Sequence, residues 1–242
     1  MTVKIPQYPL FFNPTLKALR ALGKSASVHE LNDKVVEMMN LYTSYVTERI
    51  AAAGGIIDKL VGDGVNAFYP ADPRRKHLHA RAGLISALYI LSELKMLDDE
   101  FLTRGFGTAA MGIGLHSGSA VIGNMGCERK LDYTAVGDTV NVAARLQELS
   151  KKYRNKTESA NRGVILITAA SLENAQVEVL TESIGPVPIR GRDKTEEILF
   201  IDAKAAEDWT GKRSAEGKGL MELILEGAVP AHSPANVTRK AA

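Results

Sequence analysis

The first acidic residue of this 242-residue chain is Glu30, so no carboxylate side chain precedes it. Cysteine is almost absent too. The lone Cys127 excludes an intrachain disulfide and a cysteine-rich metal site, and it fits a reducing compartment. No apolar run approaches the roughly 18–20 residues that span a bilayer. The start of the chain lacks the basic, apolar and small-residue pattern of a secretory signal. We therefore expect a soluble, cytoplasmic protein or fragment with no membrane span. A formal net charge of +2 gives no electrostatic case for a nucleic-acid partner. No internal repeat or low-complexity tract is visible, and 45% hydrophobic residues suffice for one well-buried core plus appendages.

In chain order, residues 1–13 hold a possible strand, broken by Pro6 and Pro9, which cannot donate to a sheet ladder. Residues 1–26 as a whole read as an atypical N-terminal segment. Ser27-Val28-His29-Glu30 has the capping-box pattern and opens a helix to about Ala53, ended by Gly54-Gly55. Two β runs then flank Gly62-Asp63-Gly64 as a hairpin. Asp72-Pro73 reads as the cap of a second helix, running to about Leu97 with Leu78, Ala82, Ile85, Leu88 and Leu91 as its buried stripe. Residues 98–106 read as a polar connection.

From Gly112 the sequence runs GIGLHSGSAVIGNMGCERKLDYTAVGDTVNVAARLQEL. It predicts a strand ending near His116, a short strand Ala120–Gly123, a polar tip Asn124–Lys130, a returning strand Leu131–Val136 and a capped helix. Asn141 and Arg145 are one helical turn apart and share a face, an arrangement suited to an anion. Residues 151–162 are polar and predict an exposed loop. Short strands follow at 164–168, 177–181, 187–189 and 198–202, with a short helix at 169–175. Alternating helices and strands indicate an α/β sandwich. Residues 204–242 are mixed in charge and read as an appendage or tail, with a possible short helix near 220–225.

The stretch resembles the catalytic core of class III adenylate and guanylate cyclases. The likeness is carried by Gly112–Gly118, Ile122–Gly126, Asp132–Asn141 and Ala143–Leu146, and extends to Met39–Tyr42 and Gly54–Gly64. It implies a catalytic domain over residues 27–203, with a ferredoxin-like α/β sandwich and a mainly antiparallel central sheet. It also implies head-to-tail homodimerisation with sites shared between chains. The implied reaction closes a purine nucleoside triphosphate into its 3′,5′-cyclic monophosphate and releases pyrophosphate, with Mg²⁺ or Mn²⁺.

Residue by residue, Asp63 matches a metal ligand, although spacing alone favours a turn aspartate. Lys59 matches the base-reading lysine and Thr134 its partner. An ammonium donates to adenine N1, whereas guanine carries a donor there, so Lys59 implies ATP over GTP. Asn141 and Arg145 match the residues that orient the ribose and stabilise phosphate charge. Arg190 and Arg192 are candidates for triphosphate contact, with a solvated loop as the alternative. His116 reads as structural, and Cys127 sits near the tip of an arm that reaches the partner.

One element of the pattern is missing. The family places a first metal aspartate in a phrase such as Phe-x-Asp-Ile ahead of the first long helix. Here that region reads Leu10-Phe11-Phe12-Asn13-Pro14, with Asn13 nearest the aspartate. Three readings follow: an adenylate cyclase with a weakened metal site, a catalytically inactive homologue serving as a nucleotide-binding or regulatory dimerisation module, and a chain altered at its start. A structural protein with no nucleotide site is the reading from a different class. A diguanylate cyclase would need a Gly-Gly-Asp/Glu-Glu-Phe hairpin, which the sequence lacks.

Overall fold

The structure, a computed structural model, describes residues 2–4, 28–75, 77–154, 163–188 and 195–226. Its strands are β1 (Thr2–Lys4), β2 (Ile56–Val61), β3 (Gly64–Phe68), β4 (Met111–Leu115), β5 (Val121–Cys127), β6 (Lys130–Val136), β7 (Gly163–Thr168), β8 (Glu182–Pro188) and β9 (Thr195–Asp202). Its helices are α1 (Val28–Ala52), α2 (Leu78–Ser92), α3 (Leu94–Thr103), α4 (Asp138–Arg154), α5 (Ala169–Ala175), α6 (Ala203–Ala215) and α7 (Leu220–Leu225).

Seven strands form one sheet in the order β2-β3-β1-β4-β7-β9-β8. Only the β4–β7 pair is parallel. Within it, β1, β2, β3 and β4 with α1 and α2 reproduce the expected ferredoxin-like order, β1 lying between β3 and β4. The strand in that central place is Thr2–Lys4, which ends before Pro6 as proline's missing N–H requires. Asn13 lies outside the described residues.

Side-chain alternation divides the core. Ile165 and Ile167 of β7 join Ile113 and Leu115 of β4 beneath α1 and α2, whereas Val164 and Leu166 meet Val142 and Leu146 of α4 on the other face. On β4 the α4 side is glycine. A Cβ at Gly114 would overlap the Ala143 carbonyl oxygen, and one at Gly112 the Ser150 hydroxyl. The glycines therefore let α4 lie directly on the strand backbone.

Several expectations are corrected. Asp72 does not cap a helix. Its Oδ1 accepts from Arg74 N at 2.9 Å in a local turn, and α2 starts only at Leu78. The single long helix is two, divided at Glu93, whose carboxylate is held by Arg49 Nε of α1 at 2.8 Å. The region read as a polar connection is mostly α3, with Phe101 and, just beyond the helix, Phe106 buried. No strand forms at 177–181, and β8 instead runs 182–188 against β9.

Helix α2 is buried nearly all round rather than along one stripe. The sheet covers one side, and α6 and α7 cover another with Trp209, Leu223 and Ile224. Arg81 of α2 fastens α7 and the end of α5, donating Nε to Leu223 O at 2.8 Å and Nη1 to Gln176 O at 2.7 Å. Residues 204–225 thus share the main core, while 227–242 lie outside the described residues.

Candidate functional site

The β2–β3 hairpin sets two of the expected site residues. Gly62 takes φ +60°, a left-handed turn conformation that suits glycine, and this leaves Asp63 half-buried at the tip. Burial, and secondarily the Asp63 charge, push the Tyr42 phenol of α1 well above the ordinary tyrosine range. Next to the tip, Lys4 of β1 pairs in register with Gly64. The β1 sequence Thr-Val-Lys contributes no carboxylate, and none precedes Glu30. Among the described residues, no group of three His, Cys, Asp or Glu side chains could hold a metal ion.

Five residues before the tip the hairpin carries a bulge. Ile57 pairs with Ala67 and Lys59 with Asn66, so Asp58 is the extra residue. Its side chain is 5% exposed and that of Lys59 42%, with Lys59 Nζ 3.8 Å from Asp58 Oδ2. The other carboxylate oxygen, Oδ1, is buried and has no hydrogen-bond partner among the described residues. Sequence reasoning did not single out Asp58. The signal was there: an acid beside a lysine in a strand where alternation would place the two on opposite faces.

Thr134 lies on β6, opposite Gly123 of β5. It is buried, and its Oγ1 also lacks a hydrogen-bond partner among the described residues. Leaving such a hydroxyl unsatisfied costs about 1–3 kcal/mol, which a bound polar ligand can recover. β6 packs beside β2, and the rings of Phe68 at the end of β3 and Tyr133 of β6 have centroids 6.3 Å apart.

Helix α4 presents the remaining pair. Val142 and Leu146 point into the core, and Asn141 and Arg145 precede each by about 100° of helical rotation, at the edge of the buried face. Asn141 is exposed. Arg145 is half-buried and makes no ion pair among the described residues. The start of the helix is tied back by Thr139 Oγ1, which donates to Ser119 O at 2.7 Å. Behind these parts lies a cavity of about 410 Å³, with Asp58 in one wall and Val140 and Ala143 of α4 in another. Arg190 and Arg192 lie outside the described residues.

His116 behaves as a structural residue. Its Nδ1 is 3.0 Å from Thr168 Oγ1, and Ser117 N donates to Ser171 Oγ at 2.7 Å, joining the end of β4 to α5. The expected long polar tip after β5 is corrected. β5 and β6 stay paired from Val121↔Val136 to Cys127↔Lys130, leaving only Glu128 and Arg129 as the loop. The arm is a separate two-stranded sheet with Val121, Leu131 and Tyr133 more than half exposed. Leu60 of the adjacent edge strand β2 is equally exposed.

Residues 25–202 match the profile of the adenylate and guanylate cyclase catalytic domain. The chain belongs to that family. The cyclase domain is 30% identical over 169 residues to adenylate cyclase 1 of Rhizobium meliloti, covering 70% of this chain and 24% of that protein. It is 27% identical over 181 residues to the terminal-differentiation specific adenylate cyclase of Dictyostelium discoideum, covering 74% of this chain and 8% of that one. The chain thus spans a quarter or less of these relatives. Its fold matches the crystal structure of the adenylyl cyclase CyaB from P. aeruginosa with a TM-score of 0.60, at 22% identity, covering 82% of this chain and 90% of that one. Among the described residues, no helix of this cyclase domain is long and apolar enough to cross a membrane.

Proposed function

We propose that this cyclase domain converts ATP into 3′,5′-cyclic AMP and pyrophosphate, at sites shared between the two chains of a dimer. The observation that carries the adenine preference is the buried Thr134 hydroxyl, without a hydrogen-bond partner among the described residues, on the strand beside that of Lys59. Adenine offers the complementary groups: N1 accepts from the Lys59 ammonium and the exocyclic amine donates to Thr134 Oγ1. Guanine presents an N1–H donor to the ammonium and is disfavoured.

In the reaction the ribose 3′-hydroxyl loses its proton and its oxygen attacks the α-phosphorus. The bond to the bridging oxygen of the β-phosphate breaks, and pyrophosphate leaves. Asn141 holds the ribose, and the Arg145 guanidinium stabilises charge building on the phosphates. Arg190 and Arg192 are proposed to hold the outer phosphates. Mg²⁺ or Mn²⁺ held by Asp63 and the triphosphate oxygens would offset phosphate charge. The donor set fits one such ion entering with the nucleotide. It does not fit two resident ions, because one carboxylate cannot neutralise both.

That shortage favours a second reading, a nucleotide-binding dimerisation module that does not turn over. Incubating the purified protein with ATP or GTP and Mg²⁺ or Mn²⁺, with direct measurement of cyclic product, separates the two. Cyclic AMP in excess of cyclic GMP, with the preference lost in Lys59→Ala, supports the cyclase. Binding without any product supports the module.

A further inference from the structure

We infer that Ser171 of α5 is a positioning residue for Asn141, acting through the loop after β4 and through Thr139. This rests on the ATP-cyclising reading above, in which Asn141 holds the ribose. The body of α4 is seated without Ser171. From Ala143 onward it lies on the backbone of β4, where a Cβ at Gly114 would meet Ala143 O and Gln147 N, and one at Gly112 the Ser150 hydroxyl. The first turn, which carries Asn141, is different. Thr139 stands one helical turn before Ala143, about 6 Å along the axis, whereas β4 ends at Leu115, one residue after Gly114. The turn therefore reaches past the strand. Thr139 and Val140 border the cavity of about 410 Å³, so side-chain packing does not fill the space beneath them.

Hydrogen bonds hold the turn instead. Thr139 Oγ1 donates to Ser119 O at 2.7 Å, and a Cβ on Gly118 would stand 2.6 Å from the same Oγ1, so the loop backbone lies directly against Thr139. The loop is held in turn from α5, where Ser171 Oγ accepts from Ser117 N at 2.7 Å. Ser171 is 3% exposed, its Oγ lies 2.7 Å from Thr168 Oγ1, and Thr168 Oγ1 lies 3.0 Å from His116 Nδ1. One direction of donation pairs all of these groups: Ser117 N–H to Ser171 Oγ, Ser171 O–H to Thr168 Oγ1, and Thr168 O–H to Nδ1 of a neutral His116. Past its last turn, α5 is fastened by Arg81 Nη1, which donates to Gln176 O at 2.7 Å. α5 is thus fixed at both ends, and the loop carries its position to the start of α4.

Removing the Ser171 hydroxyl leaves Ser117 N–H without its acceptor and the loop without its anchor on α5. Thr139 follows the loop, and Asn141, two residues on, loses its place. Lys59 and Thr134 stand on β2 and β6, outside this chain of bonds, so base recognition is kept. The signature of the role is a fall in kcat with base preference and KM retained.

The test measures cyclic AMP formation from Mg-ATP by the full chain, together with hydrogen exchange at the amides of residues 139–143. Ser171→Ala is expected to lower kcat about 10–100-fold, the effect of a small misplacement, with KM for ATP and the ATP-over-GTP preference within about threefold. Exchange at residues 139–143 rises about tenfold, while that of β2 and β6 is unchanged. Ser171→Thr keeps the hydroxyl and restores kcat to within about threefold of the original chain. Thr139→Val breaks the bridge from the α4 side and repeats the loss, which carries the test if Ser171→Ala does not fold. The double variant falls no further than the larger single, since both cut one connection. Thr210→Val is the matched control: it removes a buried hydroxyl bonded to Ala206 O in α6 and should change neither readout. The inference is overturned by unchanged exchange at residues 139–143 in Ser171→Ala and Thr139→Val, by additive losses in the double variant, or by an equal loss in Thr210→Val. If the original chain forms no cyclic product, the cyclase reading falls, and the exchange measurement alone decides the positioning role.

Discussion

Helix α4 and the β2–β3 tip are supported in opposite ways. Under α4, two glycines of β4 remove every side chain that would separate helix from strand, and Thr139 ties the helix start to Ser119. At the tip, Asp63 stands on a glycine turn beside a three-residue strand without an acid. The contrast separates two tasks that a cyclase site must perform together. Recognising the base and stabilising phosphate charge need rigidly placed neutral and cationic groups, the tasks proposed for Lys59, Thr134, Asn141 and Arg145. Binding divalent ions needs clustered negative charge, and among the described residues no group of three His, Cys, Asp or Glu side chains could hold an ion.

Substitutions test whether the two regions differ in this way. The largest effect is expected for Trp209→Ala, a control that should spare the asymmetry. Emptying its place against α2 should destabilise the fold by about 3–5 kcal/mol in chemical denaturation. Lys59-dependent ATP binding should persist below the unfolding temperature. Gly114→Val attacks the supported half directly. Its Cβ would overlap the Ala143 carbonyl oxygen, so α4 must move. We expect a stability loss of about 1–3 kcal/mol or more, and loss of whatever turnover the protein has, measured by thermal melting and product formation.

Lys59→Ala should remove the base discrimination without touching α4. Loss of a charged hydrogen bond corresponds to about 1.5–3 kcal/mol, a ten- to hundredfold fall in ATP-over-GTP selectivity by competition binding. Asp58→Asn should have the smallest effect. The carboxylate orients a lysine that is 42% exposed, so solvent screens their attraction. A two- to threefold rise in KM for ATP is expected, with kcat little changed. A fall in kcat at constant KM would show that Asp58 acts elsewhere.

Much of this was legible in the sequence where local chemistry decides the outcome. The Gly62-Asp63-Gly64 turn, the one-turn spacing of Asn141 and Arg145, and the glycines of residues 112–118 each reflect a backbone requirement that few residues meet. Partner-dependent features were harder to read. The segment Leu78–Ser92 is apolar on nearly every side, the mark of a helix covered twice, yet nothing local identifies α6 and α7 as the second cover. Asp58 escaped notice because a bulge reverses the facing that strand alternation implies. The arm was expected to open into a loop at Asn124, where polar residues suggest exposure. A free-standing hairpin exposes them while remaining paired.

On the proposed reading, base recognition persists where metal binding is weak. It is tested most directly by measuring ATP binding and cyclic AMP formation on the isolated chain in one preparation with saturating Mg-ATP. The expected result is Lys59-dependent ATP binding together with a kcat below about 0.1 s⁻¹, under the common enzymatic range of about 1–10³ s⁻¹. A kcat within that range, abolished by Asp63→Ala, would show that one carboxylate suffices and contradict it.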